Sequence, residues 1–148
     1  RQFAARDADL EADLVVPVLA LTLHATRSSS AVLHQMAVHL EGELRTLPEV
    51  ATTFAVGGGG TIIRTEDGGT TWVKVATSFT ETFKRVNFAD DKNGWIVGHR
   101  GTILRTQDKG RTWVRQESNV KADLYGLFMT KKYGWAVGAA GSTVEFQK

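Results

Sequence analysis

The sequence has no cysteine in 148 residues. That single absence removes disulfides, thiolate metal sites and cysteine nucleophiles together, and leaves the compartment open. It also has no long apolar run. The longest, Leu14–Leu23, is interrupted by Pro17 and Thr22, and falls well short of the roughly twenty residues that span a bilayer. Asp7, Asp9, Glu11 and Asp13 precede it where a signal peptide carries basic residues. No transmembrane segment and no signal peptide are therefore expected, although a chain opening on Arg1 leaves room for upstream sequence. A concentrated charge of one sign is missing too. The net +2 divides into −3 over residues 1–50 and +5 over 51–148, an asymmetry that marks segments of different origin or partner. No basic run with interleaved aromatics follows a phosphate backbone, so no nucleic acid is expected. With 42% apolar and 23% charged residues, disorder is excluded as well.

What the chain does have is a repeat. Phe54-Ala-Val-Gly57, Trp95-Ile-Val-Gly98 and Trp135-Ala-Val-Gly138 stand 41 and then 40 residues apart. After two intervening residues each is followed by Gly60-Thr61, Gly101-Thr102 or Gly141-Ser142. The first two copies run on through Ile62-Ile-Arg64-Thr65 and Ile103-Leu-Arg105-Thr106. They then reach Thr65-Glu-Asp67-Gly-Gly69-Thr-Thr71-Trp72 and Thr106-Gln-Asp108-Lys-Gly110-Arg-Thr112-Trp113. Upstream, Val86-Asn-Phe88 aligns with Gly126-Leu-Phe128. A period of about forty residues is the signature of a repeat architecture.

The pattern Thr-x-Asp-x-Gly-x-Thr-Trp is similar to the Asp box of sialidases and of many non-enzymatic propellers. Its chemistry is that of a tight turn. Asp67 and Asp108 accept backbone N–H bonds within the turn, and Gly69 and Gly110 adopt positive φ. Thr65, Thr71, Thr106 and Thr112 satisfy further turn groups, while Trp72 and Trp113 begin the outgoing strand and pack on the next sheet. Short strands are expected around Arg85–Ala89, Gly94–Gly98, Thr102–Thr106 and Thr112–Gln116, four per period, as one propeller blade requires. The predicted fold is mainly β: a partial β-propeller of about two Asp-box blades, residues 54–148, behind an N-terminal β-α-β segment. Propellers close with four to eight blades, so the chain belongs to a longer propeller, assembles with others, or keeps open blade edges that invite self-association.

The longer wording Gly-Trp-x-Val-Gly-x-x-Gly-Thr-Ile-x-Arg-Thr-x-Asp-x-Gly-x-Thr-Trp, over residues 54–146, resembles the photosystem II stability/assembly factor family. That resemblance implies a seven-bladed, exported or lumenal propeller that helps to assemble a membrane complex and has no known catalysis. It also implies a basic binding surface that includes repeat arginines, here Arg64 and Arg105. The third copy departs, with Glu145 at the arginine position and no Asp box. The alternative for Arg64 and Arg105 is exposed strand arginines that serve solubility.

Residues 1–53 have a different grammar. Leu14–His24 reads as one strand. Leu33, Met36, Ala37, Leu40, Leu44 and Leu47 recur at helical spacing up to Pro48, and Val50–Val56 reads as a second strand. Together they make a β-α-β unit, half of a ferredoxin-like fold. Residues 14–58 resemble the porter subdomain of resistance-nodulation-division efflux pumps, which would link the chain to an efflux system.

Catalytic candidates are few. His34 and His39 are five apart and share no helical face. His39 and Glu43 do, but two ligands make no metal site. Gly57–Gly60 lacks the Lys-Ser/Thr of a phosphate loop. Tyr125 and Tyr133, the latter read as a turn residue, belong to one repeat and cannot supply the separate-blade constellation of a sialidase. No catalytic residue, cofactor or metal is expected. The leading reading is an exported or periplasmic binding scaffold with a protein partner in a membrane complex. A fragment of a sialidase-like glycoside hydrolase and a hybrid reading frame without independent function stay open beside it.

Overall fold

The computed structural model describes residues 2–5, 8–15, 18–25 and 52–147. Their strands form three sheets, two of them wholly antiparallel.

The second sheet is the complete blade. Strands β7 (Phe83–Phe88), β8 (Gly94–Gly98), β9 (Ile103–Thr106) and β10 (Val114–Arg115) lie in the order β10-β9-β8-β7. The third sheet repeats its inner part with β11 (Leu124–Met129), β12 (Tyr133–Gly138) and β13 (Thr143–Gln147). The Gly-x-x-Gly-Thr/Ser register turns out to be one recurring turn. The N–H of Gly57, Gly98 and Gly138 donates to the carbonyl of Thr61, Thr102 and Ser142 at 3.0, 3.0 and 2.9 Å. Gly101, at φ 66°, is confined to glycine doubly, because an added Cβ would lie 1.8 Å from the Val120 carbonyl oxygen.

The first sheet contains β1 (Gln2–Ala5), β2 (Ala8–Val15), β3 (Val18–Ala25), β4 (Thr52–Val56), β5 (Ile62–Thr65) and β6 (Val73–Lys74), paired in chain order. The single strand expected over Leu14–His24 is thus two, with Val15 paired to Val18 across an antiparallel ladder. The acidic–apolar alternation of Asp9–Leu14 is a period-2 strand pattern in its own right. Pro17, which has no N–H to give a ladder, stands between the two. Strands β3 and β4 are parallel, which demands a long crossover. The helix expected from Leu33 to Leu47 lies outside the described residues.

Strands β4, β5 and β6 match β8, β9 and β10 of the complete blade. The place next to β4 that corresponds to β7 is held by β3, running in the opposite sense: β7 is antiparallel to β8, whereas β3 is parallel to β4. The β7 backbone in turn runs close to β3 and β4.

Two cores lie between successive sheets. Phe54, Val56 and Ile62 of the first meet Val86, Phe88, Ile96, Leu104 and Trp113 of the second. The Phe54 and Phe88 rings stack at 4.7 Å, and Trp113 stands edge-on to both at 6.3 and 6.0 Å. The second core joins Trp95, Val97 and Ile103 to Leu124, Leu127, Met129 and Ala136. Each blade therefore offers one face forward and one back, as strand alternation requires.

The third blade corrects one expected alignment. Met129 pairs with Gly134 as Phe88 does with Gly94, and Leu127 pairs with Ala136 as Val86 does with Ile96. Leu127 and Met129, and not Gly126 and Phe128, therefore take the places of Val86 and Phe88. Four residues separate the paired Met129 and Gly134 where five separate Phe88 and Gly94, and a one-residue slip sends a side chain to the opposite face. Phe128 is exposed in consequence.

Candidate functional site

The two Asp boxes are near-identical turns. In the first, the Thr65 hydroxyl donates to Asp67 Oδ1 at 2.7 Å and accepts the Gly69 N–H at 3.0 Å. Asp67 Oδ1 accepts the Thr71 N–H at 2.8 Å, and Oδ2 accepts the Thr71 hydroxyl at 2.5 Å. Thr106, Asp108, Gly110 and Thr112 repeat this at 2.8, 3.0, 2.9 and 2.5 Å. The Thr71 hydroxyl, then its N–H and the Thr65 hydroxyl, hold the Asp67 carboxyl down at about 2. Burial pushes Asp108 up, but the bonds from Thr112 and Thr106 outweigh it and bring it also to about 2. A carboxylate that acidic and that fully engaged is no proton donor near neutrality. Gly110 has φ 73°, and an added Cβ there would strike the Phe54 ring at 2.2 Å. Trp113 donates from Nε1 to the Gly110 carbonyl at 3.2 Å and lies in the core. Trp72 is only half-buried, with Nε1 buried and unpartnered.

The repeat arginines occupy equivalent rungs. Arg64 pairs across the ladder with Phe54, Arg105 with Trp95 and Glu145 with Trp135. Neither arginine is the exposed strand residue of the solubility alternative; both are half-buried, and both share a strand face with core residues, Ile62 and Ile103, that pack toward the following blade. Arg64 forms an ion pair with Glu66 at 3.3 Å and makes a long 3.5 Å bond to the Lys109 carbonyl. Arg105 differs. Its guanidinium lies 5.3 Å from the Trp95 ring centroid, a cation–π contact, and its Nε is buried with no hydrogen-bond partner.

That unpartnered donor belongs to a side chain lining a cleft between the second and third blades, along with Asn93, Trp95, Lys131, Lys132 and Tyr133. Asp90 also lines it. Its carboxylate is already taken up by the Asn93 side chain, at 2.9 Å to both oxygens, and by the N–H groups of Lys92 and Asn93. Although burial raises the Asp90 carboxyl, those bonds keep it below its usual range. The cleft thus gathers Arg105, Lys131 and Lys132 around the single carboxylate of Asp90, to which Lys131 adds a favourable charge, with Trp95 and Tyr133 among its walls. An excess of cationic side chains beside aromatic walls can receive an anionic group such as a carboxylate.

Sequence reasoning named Arg105 but not the side chains that share its cleft. Trp95 was legible, since the strand register sets it opposite Arg105. Lys131, Lys132 and Tyr133 come from the next repeat, whose packing no local pattern reveals. Tyr133, expected in a turn, begins β12. His99, in the turn after β8, stands 3.7 Å from Asp123 on the neighbouring blade. Among the described residues, no three His, Asp or Glu side chains gather to hold a metal ion, and no helix is long and apolar enough to cross a membrane.

The profile of the photosynthesis system II assembly factor YCF48 family matches twice, over residues 43–107 and 82–147, and so covers well over half of the chain. The chain belongs to the YCF48 family. Solved structures agree. The chain is similar to YCF48 bound to D1 peptide, with 23% identity and a TM-score of 0.56, and to YCF48 from Cyanidioschyzon merolae, with 26% identity and a TM-score of 0.55. In both cases 64% of this chain is matched, against 33% of the solved one, so the match spans about a third of those YCF48 structures. Among curated proteins none matches. Membership makes these blades YCF48-type propeller repeats. The overlap of the two profile matches at 82–107 falls in the complete blade, the unit that serves both as successor to the first sheet and predecessor of the third.

Proposed function

We propose that this chain is a non-enzymatic scaffold that holds an acidic or carboxylate-terminated segment of a protein partner in the cleft at Arg105. The observation that carries the proposal is the buried, unpartnered Nε of Arg105 beside Lys131, Lys132 and Tyr133. A buried donor left without an acceptor is costly, and a charged acceptor repays that cost best. One similar structure is a YCF48 with a D1 peptide bound, which supports a peptide as the kind of ligand. The assembly-factor family supports the further reading that the partner belongs to a membrane complex and that the protein works in an exported, membrane-proximal place. Cell fractionation that finds the protein only in the cytoplasm would exclude that place without touching the cleft.

The binding proposal is tested by fluorescence anisotropy. Two labelled peptides of one length are compared, one ending in acidic residues with a free carboxylate, the other amidated and with Asn and Gln in place of Asp and Glu. The acidic peptide should bind, lose affinity as salt rises, and lose about ten- to a hundredfold on Arg105→Ala, the range of a charged hydrogen bond. Equal binding of both peptides, or an Arg105→Ala protein that binds like the original, would falsify it.

A further inference from the structure

The repeat builds the same junction twice, between the first and second blades and between the second and third. Each junction contains one arginine of equivalent register, Arg64 or Arg105. Their surroundings differ in charge. At the second junction the third blade contributes the turn Lys131-Lys132, and Arg105 lies against the Trp95 ring. The matching turn of the second blade is Asp90-Asp91-Lys92. The two turns are equivalent because the Ala89 N–H closes one on the Asn93 carbonyl at 2.9 Å, and the Thr130 N–H closes the other on that of Tyr133 at 2.8 Å. Lys109 joins the acidic turn to Arg64. Its amine pairs with Asp91 at 3.6 Å, its N–H donates to the Lys92 carbonyl at 3.2 Å, and its own carbonyl accepts from Arg64 at 3.5 Å.

The sharper difference is one position inside the Asp box. Glu66 stands between Thr65 and Asp67, whereas Gln107 stands between Thr106 and Asp108. The two turns otherwise share their hydrogen bonds, so the turn itself does not require an acid there. Glu66 pairs with Nη1 of Arg64 at 3.3 Å. The Arg64 side chain is 15% exposed and that of Glu66 52%, so the carboxylate lies on the solvent side of the guanidinium, where a ligand would arrive. Gln107 carries no charge and cannot neutralise Arg105. A carboxylate against a guanidinium is the contact that an acidic ligand makes, and at Arg64 the chain supplies that carboxylate itself.

We propose that Glu66 is the resident occupant of the first arginine site. Its carboxylate takes at Arg64 the place that a partner's carboxylate takes at Arg105. The repeat therefore offers two arginines, but only the junction of the second and third blades receives a ligand. This rests on the carboxylate reading of the Arg105 cleft and adds a rule of selection to it. A Glu inside the Asp box closes the arginine site of its own blade, and a Gln leaves it open.

The test compares anisotropy titrations of the labelled acidic peptide, at low salt, on the original chain and on Arg105→Ala, each with and without Glu66→Gln. The last substitution gives the first Asp box the residue of the second, so the turn is kept. In the Arg105→Ala background it should tighten binding about three- to fivefold, the upper range for an ion pair with one exposed partner. Adding Arg64→Ala should abolish that gain. Glu117→Gln makes the same change of charge at an exposed position after β10 and should bring no gain, which separates loss of one contact from a general rise in positive charge. The failures are distinct. An original chain that binds through Arg105, with no gain from Glu66→Gln, overturns the role of Glu66 and leaves the cleft standing. Binding that appears only with Glu66→Gln overturns the cleft and upholds Glu66. A gain that survives Arg64→Ala, or that Glu117→Gln reproduces, overturns the role of Glu66 as well, as does an absence of binding by all of these proteins.

Discussion

At the scale of single residues, the Asp box shows how much chemistry a short motif can state in advance. Thr65, Asp67 and Thr71, like Thr106, Asp108 and Thr112, close their turns through side chains within the motif, so their roles were legible without knowledge of the rest of the chain. The pH dependence follows. Both carboxyls sit at about 2 in the folded protein against an ordinary value of 3.8. A depressed carboxylate stabilises the fold at pH above the unfolded value and loses that contribution as pH falls toward the folded one. Thermal midpoints should therefore hold steady above about pH 5 with respect to these groups and decline between about 4 and 2. Asp108→Asn should lower the midpoint at pH 7 and flatten part of the decline. A variant whose melting curve tracks the original from neutral pH down to 2 would show that Asp108 contributes nothing through its charge. The surroundings of Arg105 were not legible in the same way, because Lys131 and Lys132 join its cleft only through the packing of one blade on the next.

At the scale of elements, strand positions could be read from periodicity, while the alignment of one strand on another could not. The sequence match of Phe88 with Phe128 is persuasive because both are Phe before a Gly-Trp pair. The ladder instead aligns Phe88 with Met129, and Asn87 with Phe128. Asn87 is the more telling residue. Buried on the forward side of β7, it accepts the Met129 N–H through Oδ1 at 3.1 Å, and so ties the second blade to the third. Removing that acceptor strands a buried backbone N–H, a loss of about 1–3 kcal/mol. Asn87→Ala should lower the urea midpoint accordingly with an unchanged slope. Asn87→Asp, which keeps an acceptor, should recover a good part of it. Equal midpoints for Asn87→Ala and the original would mean that the Met129 N–H finds water instead.

At the scale of the whole molecule, the three blade-like units and their order were legible from the forty-residue period, and the hairpin of β2 and β3 was not. The acids of Asp9–Leu14 were read only as arguing against a signal peptide, whereas their period-2 alternation belongs to β2, paired with β3 beside β4. There β3 holds the inner-strand place that β7 holds in the complete blade, with reversed direction. A backbone in that place can meet the ladder of its neighbour from either direction, since parallel and antiparallel pairs both satisfy N–H and carbonyl groups. Periodicity says nothing about which direction is used. The consequence is that Thr52–Val56, where the N-terminal pattern and the repeat overlap in sequence, lies inside a sheet between β3 and β5. Proteases need an extended, accessible backbone, so cleavage follows local opening. Limited digestion with thermolysin should therefore cut first near the exposed Val73, Val114 or Tyr125, and leave the Phe54–Val56 bonds intact until the protein unfolds globally. Early cleavage at Phe54–Val56 would show that β3 does not hold β4 in solution. The first blade would then lack an inner strand, and its melting should separate from that of the other two.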